Sequence, residues 1–311
     1  MNYNGAHLLP ACLDSVRTQD EPHRLVVVDN ASTDDSLAVL ARYPEAAVIR
    51  CEHNTGFAGG AQLGLRTADT EIVALLNNDA TAAPDWLTEL LAGIDAWPDA
   101  AAVTSKIRLA DDGRINNVGG VLSRRGEGGD RGLHEPDDGR YDVPASVFAF
   151  CGGAAALRRE WALEVGGFPE RFFLYYEDTD LSWRLRLAGH EIVYQPTAQV
   201  SHLHSATSDP ASELFAFYNL RNHLLTLLRN APLPVVGLAG ARFLAVTARD
   251  LTRRGPAPAL HRGRLRLRVA GAVLRLLPQE LRHRYGTRAN RRAVARRWLG
   301  VPAYPREPVS A

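Results

Sequence analysis

Three short apolar runs, each ending in polar residues, constrain this chain more than any other feature. "RLVVVDN" (24–30), "AAVIRC" (46–51) and "EIVALLNND" (71–79) are rich in β-branched residues, as strands buried on both faces are. Around them lie stretches of helical periodicity: 6–19, with Leu9, Leu13 and Val16 on one face, then 34–43, 58–67 and 85–97. Pro84-Asp85 marks the start of the last, because a first helical turn tolerates Pro and favours Asp. The alternation predicts βαβ units and a parallel sheet with right-handed crossovers. Residues 101–158 read as mixed, with a Gly- and charge-rich loop at 123–140 expected to be mobile. Strands are expected in "EIVYQP" and "AQVSHL", and helices from about 210 onward, broken near Pro232 and at 256–258.

A chain of 311 residues accommodates one sizeable α/β domain with an appendage, or two small domains. Its 46% hydrophobic and 23% charged content excludes a disordered protein. Cys12, Cys51 and Cys151 are far apart, without metal-ligand spacing, which points to a reducing cytoplasm and no disulfide framework. No signal-peptide pattern precedes the first element and no run approaches ~18 apolar residues, so a cytoplasmic protein without a spanning helix is expected. Charge is divided unevenly. From residue 229 onward 18 arginines face three carboxylates, a surplus of 15, which leaves residues 1–228 at −14 given the net +1. Such a tail seeks anionic lipid, nucleic acid or the acidic body itself.

Open α/β sheets bind ligands at the C-terminal ends of their strands, where Asp29 and Asp79 lie. Asp29 opens "DNASTDDS", which is equally good turn and N-cap chemistry. Asp79 leaves its strand with Asn77 and Asn78, a set of hard oxygens suited to Mg²⁺ or Mn²⁺. "HNTGFAGGAQLG" (53–64) is a Gly-rich turn entering a helix, able to approach an anion through backbone N–H groups. It lacks the Gly-Lys-Ser/Thr of a P-loop and is as readily a plain helix entry. "FFLYYEDTDLSWRLRLAGHE" (172–191) places Glu177, Asp178 and Asp180 within four positions after a run of aromatics. Helix capping and an i,i+4 pair between Asp180 and Arg184 explain some of these carboxylates, but not Glu177 and Asp178 side by side. His202, in "VSHLHS", is by itself more often a structural histidine than a ligand.

Together these residues resemble the inverting glycosyltransferases of family 2, which have the GT-A fold, and among them the rhamnosyltransferase-like branch. "NYNG", "VVVDNASTDDS", "NTGFAGG", "LLNNDA", "CGGAAALRRE", "VGGFPERFFLYYEDTDLSWRLRLAGH" and "VSHLHS" occur in family order over roughly residues 2–225. The resemblance implies a Rossmann-like nucleotide-binding mixed sheet flanked by helices over 1–228, with a basic helical extension over 229–311. It implies donor-nucleotide contacts from Tyr3, Asn4, Asp29, Asn54, Gly56 and Asn78, with Tyr3 packing on the base. Asp79 matches the last residue of the Asp-x-Asp-type metal motif, Asn77 standing where the first acid is usual, and His202 matches a histidine that completes the diphosphate–metal site. Asp178 matches the catalytic base, with Glu177 beside it. Gly152, Gly153, Asp180, Trp183 and Arg184 are placed around sugar or acceptor. The implied reaction moves a sugar from a nucleoside-diphosphate donor, dTDP-rhamnose first, to a glycan or lipid-linked hydroxyl, with Mg²⁺ or Mn²⁺.

Two features depart from the family. Its first strand normally carries apolar residues before "NYNG", whereas this chain starts at Met1, so either a start site upstream or a sheet short of most of that strand is expected. Ala61-Gln62 also stand where asparagine is usual. A sugar nucleotidyltransferase, or a catalytically impaired nucleotide-sugar-binding protein, remains as an alternative. The tail stretch 260–278 reads either as a solvated helical face or as an interfacial helix on the inner face of the cell membrane, its arginines not segregating cleanly on a helical wheel. Nucleic acid is disfavoured, since the acidic body repels phosphate.

Overall fold

The computed structural model describes residues 1–203, 211–252, 258–287 and 289–301. Helix α1 (Leu9–Arg17) carries Pro in its first turn and buries Leu9, Cys12, Leu13 and Val16, one face at i, i+3/i+4 spacing. Strand β1 (Val26–Asp29), helix α2 (Ser36–Leu40) and strand β2 (Ala47–Arg50) follow. β1 and β2 pair in parallel, Val27 opposite Val48, and form a sheet of two. Leu9, Leu13, Val27, Leu40 and Tyr43 make the core of this part. Helix α3 (Gly56–Thr67) leads to β3 (Ile72–Leu76), β4 (Ala80–Ala82) and α4 (Trp86–Ala96). Asp85 occupies the N-cap position of α4, where the Pro84-Asp85 pair places it.

The remaining strands are β5 (Ala100–Leu109), β6 (Ile115–Asn117), β7 (Gly120–Leu122), β8 (Gly128–Asp130), β9 (Ala145–Ser146), β10 (Ala154–Arg158) and, after α5 (Arg159–Glu164) and α6 (Glu177–Ala188), β11 (Glu191–His202). The main sheet has seven strands, in order β3-β10-β5-β11-β4 with β6 on β5 and β9 on β11. β5 lies parallel to β11, but β10 is antiparallel to both β3 and β5. The sheet is therefore mixed, as the resemblance implied, rather than parallel as the alternation alone suggested. "EIVYQP" and "AQVSHL" are one strand, β11, with an irregularity between Gln195 and Gln199 around Pro196. Ala100–Val103, Ala154–Leu157 and Ile192–Tyr194 are essentially inaccessible to solvent. Each large apolar side chain buried in this layer contributes ~1.5–3 kcal/mol.

Residues 123–140, expected to be a mobile loop, include half of the hairpin β7–β8, with Gly120 opposite Asp130. Arg131 is buried there over the rings of Tyr141 and Tyr194. Beside β1, Asn2 makes an isolated bridge to Asp29, through Asn2 N to Val28 O at 2.9 Å and Asn30 N to Asn2 O at 2.8 Å.

Four helices complete the described chain: α7 (Glu213–Asn230), α8 (Leu233–Thr252), α9 (Gly263–Gly286) and α10 (Arg291–Trp298). Ser212 caps α7 by accepting from Phe215 N at 3.1 Å. The break expected at 256–258 falls mostly outside the described residues. Residue 228, the expected boundary, falls inside α7. Glu280 of α9, fully buried, pairs with Arg171 at 2.6 Å and Arg229 at 3.1 Å and ties α9 to the body. The arginines of α9 do segregate: Arg266 and Arg284 turn inward onto Thr247 and the carbonyls of Leu228 and Ala231. Arg264, Arg268 and Arg275 face out, interleaved with exposed Leu267 and Leu274. None of the described helices is long and apolar enough to cross a membrane.

Candidate active site

The C-terminal end of β1 is closed by a polar network that the sequence only half announces. Asp29, buried, accepts from Asn2 Nδ2 at 3.0 Å and from Ser32 N at 3.2 Å. Asn2 Oδ1 in turn accepts from Asn78 Nδ2 at 2.9 Å, so the loop after β3 is fastened to the end of β1. Asn4, at φ 50°, folds its amide oxygen onto Thr33 N at 2.7 Å. Tyr3 is left 44% exposed at the rim. Asn30 donates to Asn54 Oδ1 and Gly56 O and accepts from Thr55 N, which fixes the turn into α3. Gly56 is required at that turn, with φ +71° and Phe173 O only 2.2 Å from where a Cβ would stand.

Asp79 and His202 meet across the β4–β11 pair, where His202 lies opposite Ala80. Asp79 Oδ1 and His202 Nε2 are 3.0 Å apart, and His202 Nδ1 lies 2.8 Å from Asn116 Oδ1. When Nδ1 donates to Asn116, Nε2 turns its lone pair toward the carboxylate, the arrangement in which metal-ligating histidines are held. The 3.0 Å separation is that of two adjacent ligands on one octahedral ion with bonds of ~2.1 Å. No cluster of three or more His, Cys, Asp or Glu is present among the described residues. The pair therefore fits a divalent cation that takes its remaining ligands from phosphate oxygens and water, as Mg²⁺ does.

Asp178 sits in the first turn of α6. Its Oδ2 accepts from Gly152 N at 3.1 Å and its Oδ1 from Thr179 N at 2.5 Å. Burial raises its pKa above the ordinary carboxylate value, and the Gly152 and Thr179 N–H groups hold part of that rise back. Asp130, from the β7–β8 hairpin, adds a further upward push. Glu177 is buried with Oε2 unbonded, and burial followed by the Asp178 charge drives its pKa well above normal. The Gly152–Gly153 turn links both halves of the site: Gly153 O accepts from Asn77 N at 2.9 Å, two residues before Asp79. A Cβ on Gly152 would lie 3.1 Å from the Phe57 ring.

The loop that delivers Asp178 is strained. Phe173, Tyr175 and Tyr176 all have φ between 66° and 69°, a region side chains rarely adopt. Asn222 of α7 holds it by donating to the carbonyls of Phe172, Leu174 and Tyr175, all within 2.9 Å. Arg221 donates to the carbonyls of Arg171 and Phe172 at 2.8 Å.

Three expected acceptor residues are corrected. Asp180 has no accessible surface and is locked by Arg184 at 2.8 Å, Arg229 at 2.7 Å and Asn230 at 2.8 Å. Burial alone would raise its pKa, but Arg229 and Arg184 hold it below normal. Arg184 spends its other nitrogens on the carbonyls of Val165 and Gly167. Trp183 is wholly buried, edge-on to Phe148 at 5.4 Å. These three brace α6 instead of lining the cleft. Asn2, Asn30, Asn116, Asp130 and Asn222 escaped the sequence reading. Asn30 was legible as a polar residue closing an apolar strand, and Asn222 as an amide within the apolar periodicity of α7.

Residues 1–166 match the family described as glycosyl transferase family 2, and residues 139–206 match one described as the N-terminal domain of galactosyltransferase. The chain belongs to glycosyltransferase family 2. This glycosyltransferase is 30% identical over 240 residues to the N-acetylglucosaminyl-diphospho-decaprenol L-rhamnosyltransferase of Mycobacterium tuberculosis, covering 69% of this chain and 78% of the relative. It is 24% identical to the O-antigen chain rhamnosyltransferase WbaN of Salmonella anatum, over 64% of this chain and 62% of that one. Among solved structures it is similar to GalNAc-T7 with UDP, GalNAc and Mn²⁺, at TM-score 0.60 and 15% identity, covering 89% of this chain and 55% of that one. It is also similar to the mannosyltransferase PcManGT of Pyrobaculum calidifontis with GDP-Man and Mn²⁺, at TM-score 0.54 and 22% identity, covering 94% and 82%. The glycosyltransferase is rhamnosyltransferase-like in sequence and GT-A in fold.

Proposed function

We propose that the protein transfers rhamnose from dTDP-rhamnose to a hydroxyl of a lipid-linked glycan, with inversion, and that Asp178 is the base. The observation that carries this reading is the single short bridge, Asp178–Gly152–Gly153–Asn77, by which one turn holds the half-buried carboxylate in register with the Asp79–His202 pair. Tyr3, exposed beside Asp29, offers the surface for the base of the nucleotide. Asp79 and His202 would hold a divalent cation, Mg²⁺ or Mn²⁺, which would supply positive charge to the departing diphosphate. As the acceptor oxygen bonds to the anomeric carbon, the bond to the diphosphate breaks and its electron pair leaves with the nucleotide. The hydroxyl proton passes to Asp178. A carboxylate cannot deprotonate an alcohol beforehand, but accepts the proton as the new bond forms. The raised pKa of Asp178 improves that match. Incubation with Mg²⁺ or Mn²⁺ and a panel of nucleotide sugars, with detection of released nucleoside diphosphate, tests the reading. Release from dTDP-rhamnose above all others is expected, and release from none overturns it.

The basic tail is proposed to hold the enzyme against an anionic leaflet. The exposed stripe of α9, Arg264, Leu267, Arg268, Leu274 and Arg275, runs at i, i+3/i+4 and i+7 spacing. Leu238, Leu244 and Leu251 of α8 are also exposed. Each arginine reaching the surface contributes ~1 kcal/mol. Because truncation at 228 would cut α7, the test uses Leu267→Asp with Leu274→Asp in sedimentation with anionic and neutral vesicles. Loss of binding to anionic vesicles is expected; unchanged partitioning argues against the tail.

A further inference from the structure

A second cleft, of ≈ 560 Å³, lies on the outward face of α3, against the Glu170–Phe172 turn and α7. It shares the Asn54–Thr55 turn with the expected donor site but none of Asp79, Asp178 or His202. Its walls are cationic and aromatic. Arg221 is 8% exposed and lines the cleft with no carboxylate paired to it among the described residues. Its guanidinium is held by backbone carbonyls and lies over the rings of Tyr218 at 4.6 Å and Phe217 at 5.5 Å. Arg171 lines the same space with Nη2 buried and unbonded, while its Nε pairs with Glu280. Among the described residues, Arg171, Arg184 and Arg229 share two buried carboxylates, Asp180 and Glu280, and Arg221 is ion-paired with neither. Excess positive charge taken out of water is costly unless an anion compensates it. At the mouth, Arg66 is paired with Glu170 at 2.9 Å. The Phe173 and Tyr218 rings stack 5.1 Å apart and, with Leu63, give an apolar wall beside the charges.

We propose that this cleft binds a phosphate-bearing ligand, its anion between Arg171, Arg221 and Arg66 and its organic part against Phe173, Tyr218 and Leu63. Arginine forks suit phosphate oxygens. The shared chemistry is a diphosphate, supplied either by a lipid headgroup or as a free anion. The assignment does not rest on the transfer reaction proposed above.

Calorimetry on the full chain with chelator present tests it, using inorganic pyrophosphate and, separately, farnesyl diphosphate as probes. Removing metal silences diphosphate binding that depends on Asp79 and His202. Binding is expected. Arg66→Gln should weaken it and Glu170→Gln strengthen it, each roughly two- to fivefold, as suits exposed charges, and salt should shrink both effects. Arg66 and Glu170 are surface residues, so folding is not at stake. Equal affinity for both probes assigns the site to a free anion, and tighter farnesyl diphosphate assigns it to a lipid headgroup. Three results overturn the proposal: no metal-free binding of either probe, affinities indifferent to both substitutions, or binding abolished by Asp79→Ala, which would place the anion in the donor site.

Discussion

Gly152 N donates to Asp178 Oδ2 at 3.1 Å, which fixes one oxygen of the expected base, while loss of solvent around the half-buried group still holds its pKa above normal. Asp178→Asn keeps the shape and removes the proton acceptor, so turnover should fall by orders of magnitude while donor affinity stays within about twofold. In the wild type, activity should be lost as pH falls through the raised pKa of Asp178, at a higher pH than the ~3.9 of a free aspartate. Near wild-type turnover in the variant, with the true acceptor, removes Asp178 from the role.

Glu177 gives a stability prediction of defined sign. Its folded pKa lies well above the unfolded one. The favourable contribution of the protonated group is therefore complete below pH ~4.3, and is lost as pH rises through the folded value. Glu177→Gln is neutral throughout. Its Tm should match the wild type near pH 4 and exceed it increasingly toward pH 8, in parallel thermal scans. A wild type that gains on the variant as pH rises contradicts the burial argument.

Asp79→Ala should abolish the metal dependence of nucleoside-diphosphate binding, and His202→Ala should reduce it less. Calorimetry with and without Mn²⁺ measures both. Metal dependence intact in both variants places the cation elsewhere.

Asp180 is a brace, so its removal should be read in stability. Asp180→Ala strands Arg184 and Arg229 in the interior and should cost about 3–5 kcal/mol in denaturant unfolding. The acceptor KM of the protein that remains folded should not move. A stable variant with a raised acceptor KM would return Asp180 to the cleft.

What the sequence made legible was local. Asp29 and His202 end strands, Asp178 lies in the first turn of a helix and Asp79 follows closely on the apolar run of β3, and apolar runs and caps mark such points directly. Strand direction was not legible, since an apolar run such as "GGAAALR" reads alike whether β10 runs with or against β5. Nor was the fate of Asp180, decided by Arg229 and Asn230 about fifty residues later. The i,i+4 partner Arg184 was visible in advance, but an i,i+4 pair looks the same on a wet surface as in a sealed interior. The arginines of α9 blurred on a helical wheel because Arg266 and Arg284 serve carbonyls on neighbouring elements.

Asn2 joins two plates that no continuous ladder connects among the described residues. Its backbone bridges to Asp29 at the end of β1 and its amide oxygen accepts from Asn78, so Asn2 rivets the sheet that carries Asp29 to the loop that carries Asp79, alongside the side-chain contacts of α1 with Asn77 and Ala82. A rivet permits tilting where a ladder would forbid it. A nucleotide diphosphate that touches Tyr3 and Asp29 on one side and Asp79 on the other would act as the second fastener, turning a pivot into a rigid joint. Amide exchange in β1 and β2 should accordingly slow when nucleotide and metal are added, and Asn2→Ala should quicken it in the free protein. Exchange unaffected by either change would mean the plates were never free to tilt.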